Sequence, residues 1–217
     1  MFLKFLKCLV FLILIFAGQS CREETKGSEK PAEVVYKNLP AFNKMGVTAV
    51  VEIPAGTNHK IEYEPETNLF KNDKTAEGKE RVINFLPYPA NYGFIPSTLM
   101  SKDEGGDGDP MDVLIIAESL PTGTVIPVKI LAALVIKDAG ELDTKLIAVP
   151  VEKEKQVLKV NDFQEFMINY DSVRRIIESW FLNYEGPGNS TLIGWRDDDF
   201  AISEIKKWSG ENDSNDE

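Results

Sequence analysis

The stretch GGDGDPMDVLII, residues 105–116, sets three aspartates, Asp107, Asp109 and Asp112, directly before a run of apolar residues. Asp107 and Asp109 are two apart and share a face of an extended chain, whereas in a regular strand Asp112 points the other way. Gly105, Gly106, Gly108 and Pro110 disfavour a regular strand and allow the loop to curl until the three carboxylates converge. Converging carboxylates raise one another's pKa unless a cation sits among them. A hard divalent ion with oxygen ligands answers that charge, and Mg²⁺ is the usual one where phosphates are also bound. A solvated acidic turn is the plain alternative from spacing alone. An EF-hand calcium loop is excluded. Asp107, Asp109 and Glu118 fall at its outer ligand positions, but Met111 replaces a ligand and Asp112 the central glycine.

Other groups of residues could join such a site. Asp138, Glu141 and Asp143 lie between two apolar runs and, taken alone, read as turn residues. Lys145 is odd for a plain turn, because it falls at the root of a buried strand. Lys60 and Glu62 share one face of an alternating segment, with Glu52 one strand earlier, and alone they read as a surface ion-pair ladder. Residues 86–99 (LPYPANYGFIPSTL) form an aromatic, proline-rich loop with Tyr88, Tyr92 and Phe94, suited to filling a core edge. His59 has no partner at metal-ligand spacing. Serine or cysteine nucleophile motifs and a Walker-type glycine loop are missing from the sequence.

The elements that must position these residues are mainly strands. Residues 47–53, the alternating 59–64, and 81–85 read as strands, as do the β-branched runs 113–116, 125–136 and 146–151. A helix is expected from Asp171, as its cap, to Tyr184, with Val173, Ile176, Ile177, Trp180, Phe181 and Tyr184 at helical spacing, ended by Gly186-Pro187-Gly188. A second runs from about Asp199 to Trp208, with Phe200, Ile202, Ile205 and Trp208 inward. Many short strands and two late helices fit a mainly β, α+β arrangement: a small closed barrel with helices packed outside.

The chain opens with Lys4 and Lys7, a ten-residue apolar run, Cys8–Ala17, and small residues before Cys21. The run is shorter than the roughly 20 residues of a membrane-spanning helix and reads as an export signal. Gly18 to Cys21 resembles a lipoprotein lipobox, with Gly18 where leucine is usual. The expected organisation is a signal peptide over residues 1–20, a lipidated Cys21, a tether over 21–38, a body over 39–208 and an acidic tail over 209–217. Neither cysteine falls in the body, so no disulfide framework is expected there. The net charge is −11, and loss of residues 1–20, which hold two lysines and no acid, makes it −13. Such a chain repels nucleic acid and binds an anionic substrate only through cations.

Taken together, these blocks resemble the soluble inorganic pyrophosphatase family over about residues 46–208. Asp107-Gly108-Asp109-Pro110-Met111-Asp112-Val113 fits its aspartate signature at every position. Glu52-Ile53-Pro54, Lys60 with Glu62, Arg81, Tyr88 with Tyr92, Asp138 with Asp143 and Lys145, and Tyr184 follow in its order. The resemblance implies a five-stranded OB-type barrel with flanking helices, and hydrolysis of inorganic diphosphate with several Mg²⁺ ions, for which Mn²⁺ can stand in. It implies Asp109 as general base; Asp107, Asp112 and Asp143 as ligands of the water-activating metals; and Asp138 and Glu62 for metals arriving with substrate. Lys60, Arg81, Tyr92, Lys145 and Tyr184 hold phosphates and leaving group, with Glu52 and Tyr88 lining the site behind them. A homo-oligomer is the expected assembly.

Two positions depart from the pattern. Glu185 stands where a lysine commonly follows the tyrosine, removing a phosphate ligand and adding an anion. Ala139 stands where an acid is frequent. An exported, membrane-anchored location also departs from a mostly cytoplasmic family, and a cytoplasmic location is the alternative. A second reading is a non-catalytic lipoprotein that binds divalent cations or phosphate on the same fold.

Overall fold

The computed structural model describes residues 34–104, 106–138 and 140–210. The expected signal, Cys21, most of the tether and most of the acidic tail lie outside them. Nine strands and three α-helices follow in order: β1 Phe42–Asn43, β2 Gly46–Ile53, β3 Ile61–Glu64, β4 Leu69–Asn72, β5 Asn91–Phe94, β6 Asp112–Ile115, β7 Val125–Asp138, β8 Glu141–Pro150, α1 Phe163–Asn169, α2 Asp171–Phe181, β9 Ser190–Arg196 and α3 Asp198–Ser209.

The sheet runs β1-β2-β5-β6-β8-β7-β9, and an additional β2–β7 pairing closes β2, β5, β6, β8 and β7 into a ring. This is the expected five-stranded barrel. All its pairings are antiparallel except β6 with β8. The hairpin β3–β4 stands apart as a two-stranded sheet. Gly93 lets β5 approach β2 closely, since a Cβ there would come within 1.9 Å of the Val50 carbonyl oxygen.

Alternation along the strands serves two cores. Met111, Val113 and Ile115 pack in one, with Leu146, Ala148 and the α3 residues Ala201 and Ile205. Leu114 and Ile116 pack in the other, with Ile147, Val149 and the helical residues Phe166, Ile177, Trp180 and Phe181. By the same alternation Asp112, Asp143 and Lys145 fall on the α2 side, and β6–β8 register sets Asp112 beside Lys145.

Several local expectations are corrected. Residues 81–85 do not form a strand. Val82 bridges His59 alone, and the Arg81 and Ile83 amides donate to Asp73 and Asn58 carbonyls on two different loops (both 2.8 Å). The expected aromatic loop contains β5. Strands β7 and β8 run through the second acidic cluster, so Asp138 and Asp143 are strand residues near a tight turn rather than loop residues. Asp171 does not cap α2. It is the first helical residue, and its carboxylate pairs with Arg174 (2.7 Å) and Arg175 (2.8 Å). That helix ends at Phe181, with Tyr184 in the following turn, and Ile176 faces solvent. Helix α3 starts one residue earlier than expected, capped by Asp197, whose side chain accepts from the Phe200 amide (2.9 Å).

Candidate active site

A cavity of about 350 Å³ opens at the α2 side of the barrel. Every body residue to which the resemblance assigns a role lines it except Arg81, while Glu141 of the second acidic cluster lies outside it. They arrive from separate elements: Glu52 from β2, Lys60 and Glu62 from the β3 segment, Tyr92 from β5, Asp112 from β6, Asp138 from β7, Asp143 and Lys145 from β8. Asp107 and Asp109 come from the loop before β6, and Tyr184 from the turn after α2.

The floor is the sheet itself. Lys145 is buried, and its ammonium donates to Asp112 Oδ2, to the Tyr92 hydroxyl (3.0 Å) and to Asp143 Oδ2 (2.8 Å). Burial works to depress the Lys145 pKa, but Asp112 and Asp143 outweigh it and hold the ammonium above the ordinary lysine value. Burial, more than the pull of Lys145, lifts the Asp143 carboxyl, and Asp112 adds to it. The Tyr92 hydroxyl is raised by burial and then by the same two aspartates. Beneath β3, Glu52 accepts the Tyr63 amide (2.7 Å), yet burial pushes it up to about 8.

The loop curls as its glycines and proline suggested. Asp107 Oδ1 accepts from the Asp109 amide (2.8 Å), and Gly108 has φ 92, a left-handed value that favours glycine. Asp109 stays exposed. Partial burial, then Asp107, Asp112 and Glu62, raise its pKa.

The rim differs from the floor. Lys60 pairs with Glu62 (2.7 Å), both solvent-accessible. Arg81 opens on an adjacent cavity beside Tyr184 and Glu185. Its guanidinium donates to Asp73 (3.3 Å) and to Glu185. Tyr184 stacks on Trp180 (4.5 Å between ring centres, 6° between planes), and Tyr88 leans on the same indole (4.6 Å). Burial raises both tyrosine hydroxyls. The Trp180 indole N–H donates to the Leu86 carbonyl (2.9 Å), fixing the loop that carries Tyr88 to α2. Sequence reasoning found Trp180 and Phe181 as core residues only, and did not find Tyr63 as part of the lining. Trp180's helical spacing was visible, but its second use as a shelf for Tyr184 was not.

The expected three-carboxylate cage takes another form. Among the described residues no group of three acidic or histidine side chains is close enough to enclose a metal ion. The Asp107 carboxylate is turned onto the loop's own amide, and Lys145 bridges Asp112 and Asp143. The donor set nevertheless fits divalent cations. Eight carboxylates line the cavity against two ammoniums, and Asp143 Oδ1 is buried with no hydrogen-bond partner.

The closed five-stranded barrel thus opens on an acidic cavity where loop and strand carboxylates face aromatic and cationic groups, a set suited to an anion bound together with cations. The inorganic pyrophosphatase family model matches residues 49–212. The inorganic pyrophosphatase of Halalkalibacterium halodurans is 37% identical over 166 residues, covering 73% of this chain and 90% of the relative. That of Thermus thermophilus is 31% identical over 178 residues, covering 78% and 93%. The Thermus crystal structure superposes with a TM-score of 0.69 at 29% identity, over 82% of this chain and 98% of that one. The type I enzyme of Toxoplasma gondii reaches 0.73 at 27% identity, over 82% and 86%. The chain belongs to the inorganic pyrophosphatase family.

Proposed function

We infer that this protein is an inorganic diphosphatase, which hydrolyses diphosphate to two phosphates with water as the nucleophile and no covalent intermediate. The observation that carries this reading is the cavity itself, lined by an excess of carboxylates and by the two ammoniums of Lys60 and Lys145, in a chain of this family. An anion as dense as diphosphate enters such a space only with cations.

We propose Asp107, Asp112 and Asp143 as ligands of one set of divalent cations, and Glu62 and Asp138 of those arriving with substrate, with Mg²⁺ the resident ion and Mn²⁺ a substitute. Such cations supply Lewis-acid charge and acidify the attacking water. Asp109 takes the proton from that water as it attacks one phosphorus. Its exposure leaves the carboxylate open to that water, and partial burial with Asp107, Asp112 and Glu62 around it lifts its pKa above the ordinary aspartate value in the metal-free site. The bond to the bridging oxygen breaks, and the second phosphate leaves. Lys60, Arg81, Tyr92, Lys145 and Tyr184 hold the phosphate oxygens and neutralise charge on the leaving group. Lys145 suits that work because its carboxylate partners keep it protonated, and Tyr92 and Tyr184 because their raised pKa values keep them as donors. Glu52 and Tyr88 support β3 and the aromatic shelf. Purified protein should release phosphate from diphosphate with Mg²⁺ and stop on chelation. Calorimetric binding of diphosphate without release would overturn the reading.

We further propose export and lipid anchoring through Cys21, supported by the apolar run and the small residues before it. Palmitate labelling that disappears in Cys21→Ser is the expected result, and unlabelled cytoplasmic protein the contrary one. The expected homo-oligomer is tested by sedimentation.

A further inference from the structure

Residues 34–39 precede the stretch matched by the family model and do not line the cavity. They pack against the β3–β4 hairpin. Asn68, at its turn with φ 57, donates through Nδ2 to the Val34 carbonyl (2.9 Å), and its Oδ1 accepts from the Tyr36 amide (3.3 Å) and the Tyr63 hydroxyl (2.9 Å). The Tyr36 ring stands edge-on to both hairpin rings, 5.6 Å from Tyr63 and 4.9 Å from Phe70. A Cβ on Gly123 would lie 2.9 Å from the Tyr36 hydroxyl, so the ring end sits closely over that glycine. The far end of the segment is tied by Ser97, whose hydroxyl donates to the Leu39 carbonyl (2.7 Å).

The hairpin needs such support. It has four residues per strand and no ladder to the barrel. An isolated two-stranded hairpin is marginal in water. Its link to the cavity is Tyr63, which stacks on Phe94 (5.4 Å, 16°), donates its amide to Glu52 (2.7 Å) and follows Glu62 directly.

We propose that Tyr36 is a positioning residue for the reaction. It braces the β3–β4 hairpin from outside the matched domain and so holds Lys60 and Glu62 over the acidic floor. This rests on the assignment of Lys60 and Glu62 to the substrate side. The floor aspartates and Asp109 come from other elements, so loss of the brace weakens substrate capture more than the chemical step.

The test uses the full chain with diphosphate and saturating Mg²⁺. In Tyr36→Ala, KM for diphosphate should rise by about tenfold with kcat within about twofold, since small misplacements of positioning groups cost up to about 10²-fold. Tyr36→Phe, which keeps the ring, should restore the wild-type KM. Amide hydrogen exchange over residues 61–72 should quicken in Tyr36→Ala and not in Tyr36→Phe. Unchanged exchange in Tyr36→Ala, or a fall in kcat at constant KM, overturns the brace. Faster exchange with KM unchanged in both Tyr36→Ala and Lys60→Ala overturns instead the assignment of the hairpin to substrate.

Discussion

The floor of the cavity and its rim are built on different principles. On the floor, strand register fixes Asp112, Asp143, Lys145 and Tyr92 relative to one another, and burial makes each charge depend on its neighbours. On the rim, Lys60 pairs with Glu62 along one edge of the hairpin and Arg81 with Glu185 between two loops, all solvent-accessible. On the proposed assignment, ions that stay with the enzyme suit the pre-paired floor. A substrate that must enter and leave suits a rim whose contacts are each worth little.

That contrast can be broken at several points. The largest effect expected is from Asp109→Asn, which should lower kcat by about 10²–10⁴, the usual contribution of a positioned base. Because the carboxylate is exposed, its melting temperature should stay near wild type. Robust turnover in this variant would remove the assignment. With Asp109 required in its ionised form, wild-type kcat at saturating Mg²⁺ should fall as acid protonates that carboxylate.

Next comes Lys145→Met, which strands two carboxylates beside the barrel. Breaking a buried ion pair costs about 3–5 kcal/mol, and denaturant unfolding in chelator should show a loss of that order, partly restored by Mg²⁺. An equal loss with and without Mg²⁺ would argue against cations on the floor.

Glu52 gives a pH-dependent contrast. Its folded pKa of about 8 stands above the ordinary 4.5, so the folded chain retains a proton that the unfolded chain releases. Below 4.5 both states are protonated and the group is neutral to stability. Between 4.5 and 8 it destabilises the fold progressively as pH rises. Metal-free Glu52→Gln should therefore gain stability over wild type at pH 8 and match it at pH 4, by denaturant unfolding at both. A gain equal at the two pH values would contradict the burial argument.

The smallest effect belongs to the rim. Glu185→Gln releases one of the two carboxylates on Arg81, and KM for diphosphate should fall by up to about fivefold, the equivalent of the roughly 1 kcal/mol that an exposed pair is worth. A rise in KM would make Glu185 a supporter of the substrate site rather than a competitor for Arg81.

The two regions also differed in how much the sequence disclosed. Floor residues sit in short local motifs beside β-branched runs, so their chemistry was legible and their strands only in part. The turn between β7 and β8 was drawn too long because Asp138 and Asp143 look like turn residues. They remain in strand because β7 pairs through Asp138 with both neighbours, and the Ser190 hydroxyl donates to Asp138 (2.7 Å). Strand β5 was hidden by the prolines and glycine around it, although its Tyr92 was found. Strand β9 had no notice at all, since Leu192 and Ile193 are exposed and give no buried stripe. The rim was least legible. The Arg81–Glu185 pair spans 104 residues, and no periodicity reports a contact between two loops. Glu185 was visible only as an unusual residue, not as the partner of Arg81. The Tyr36 brace falls in a stretch whose charge and irregular pattern suggested only a tether.

The most direct test is a turnover experiment in ¹⁸O-labelled water with diphosphate and Mg²⁺, comparing wild type with Asp109→Asn. The account expects wild type to yield two phosphates per diphosphate, one solvent oxygen entering per diphosphate cleaved and residing in the phosphate whose phosphorus was attacked. It expects chelator to stop the reaction and Asp109→Asn to slow it by orders of magnitude. Diphosphate bound but left intact in the presence of Mg²⁺ would contradict it.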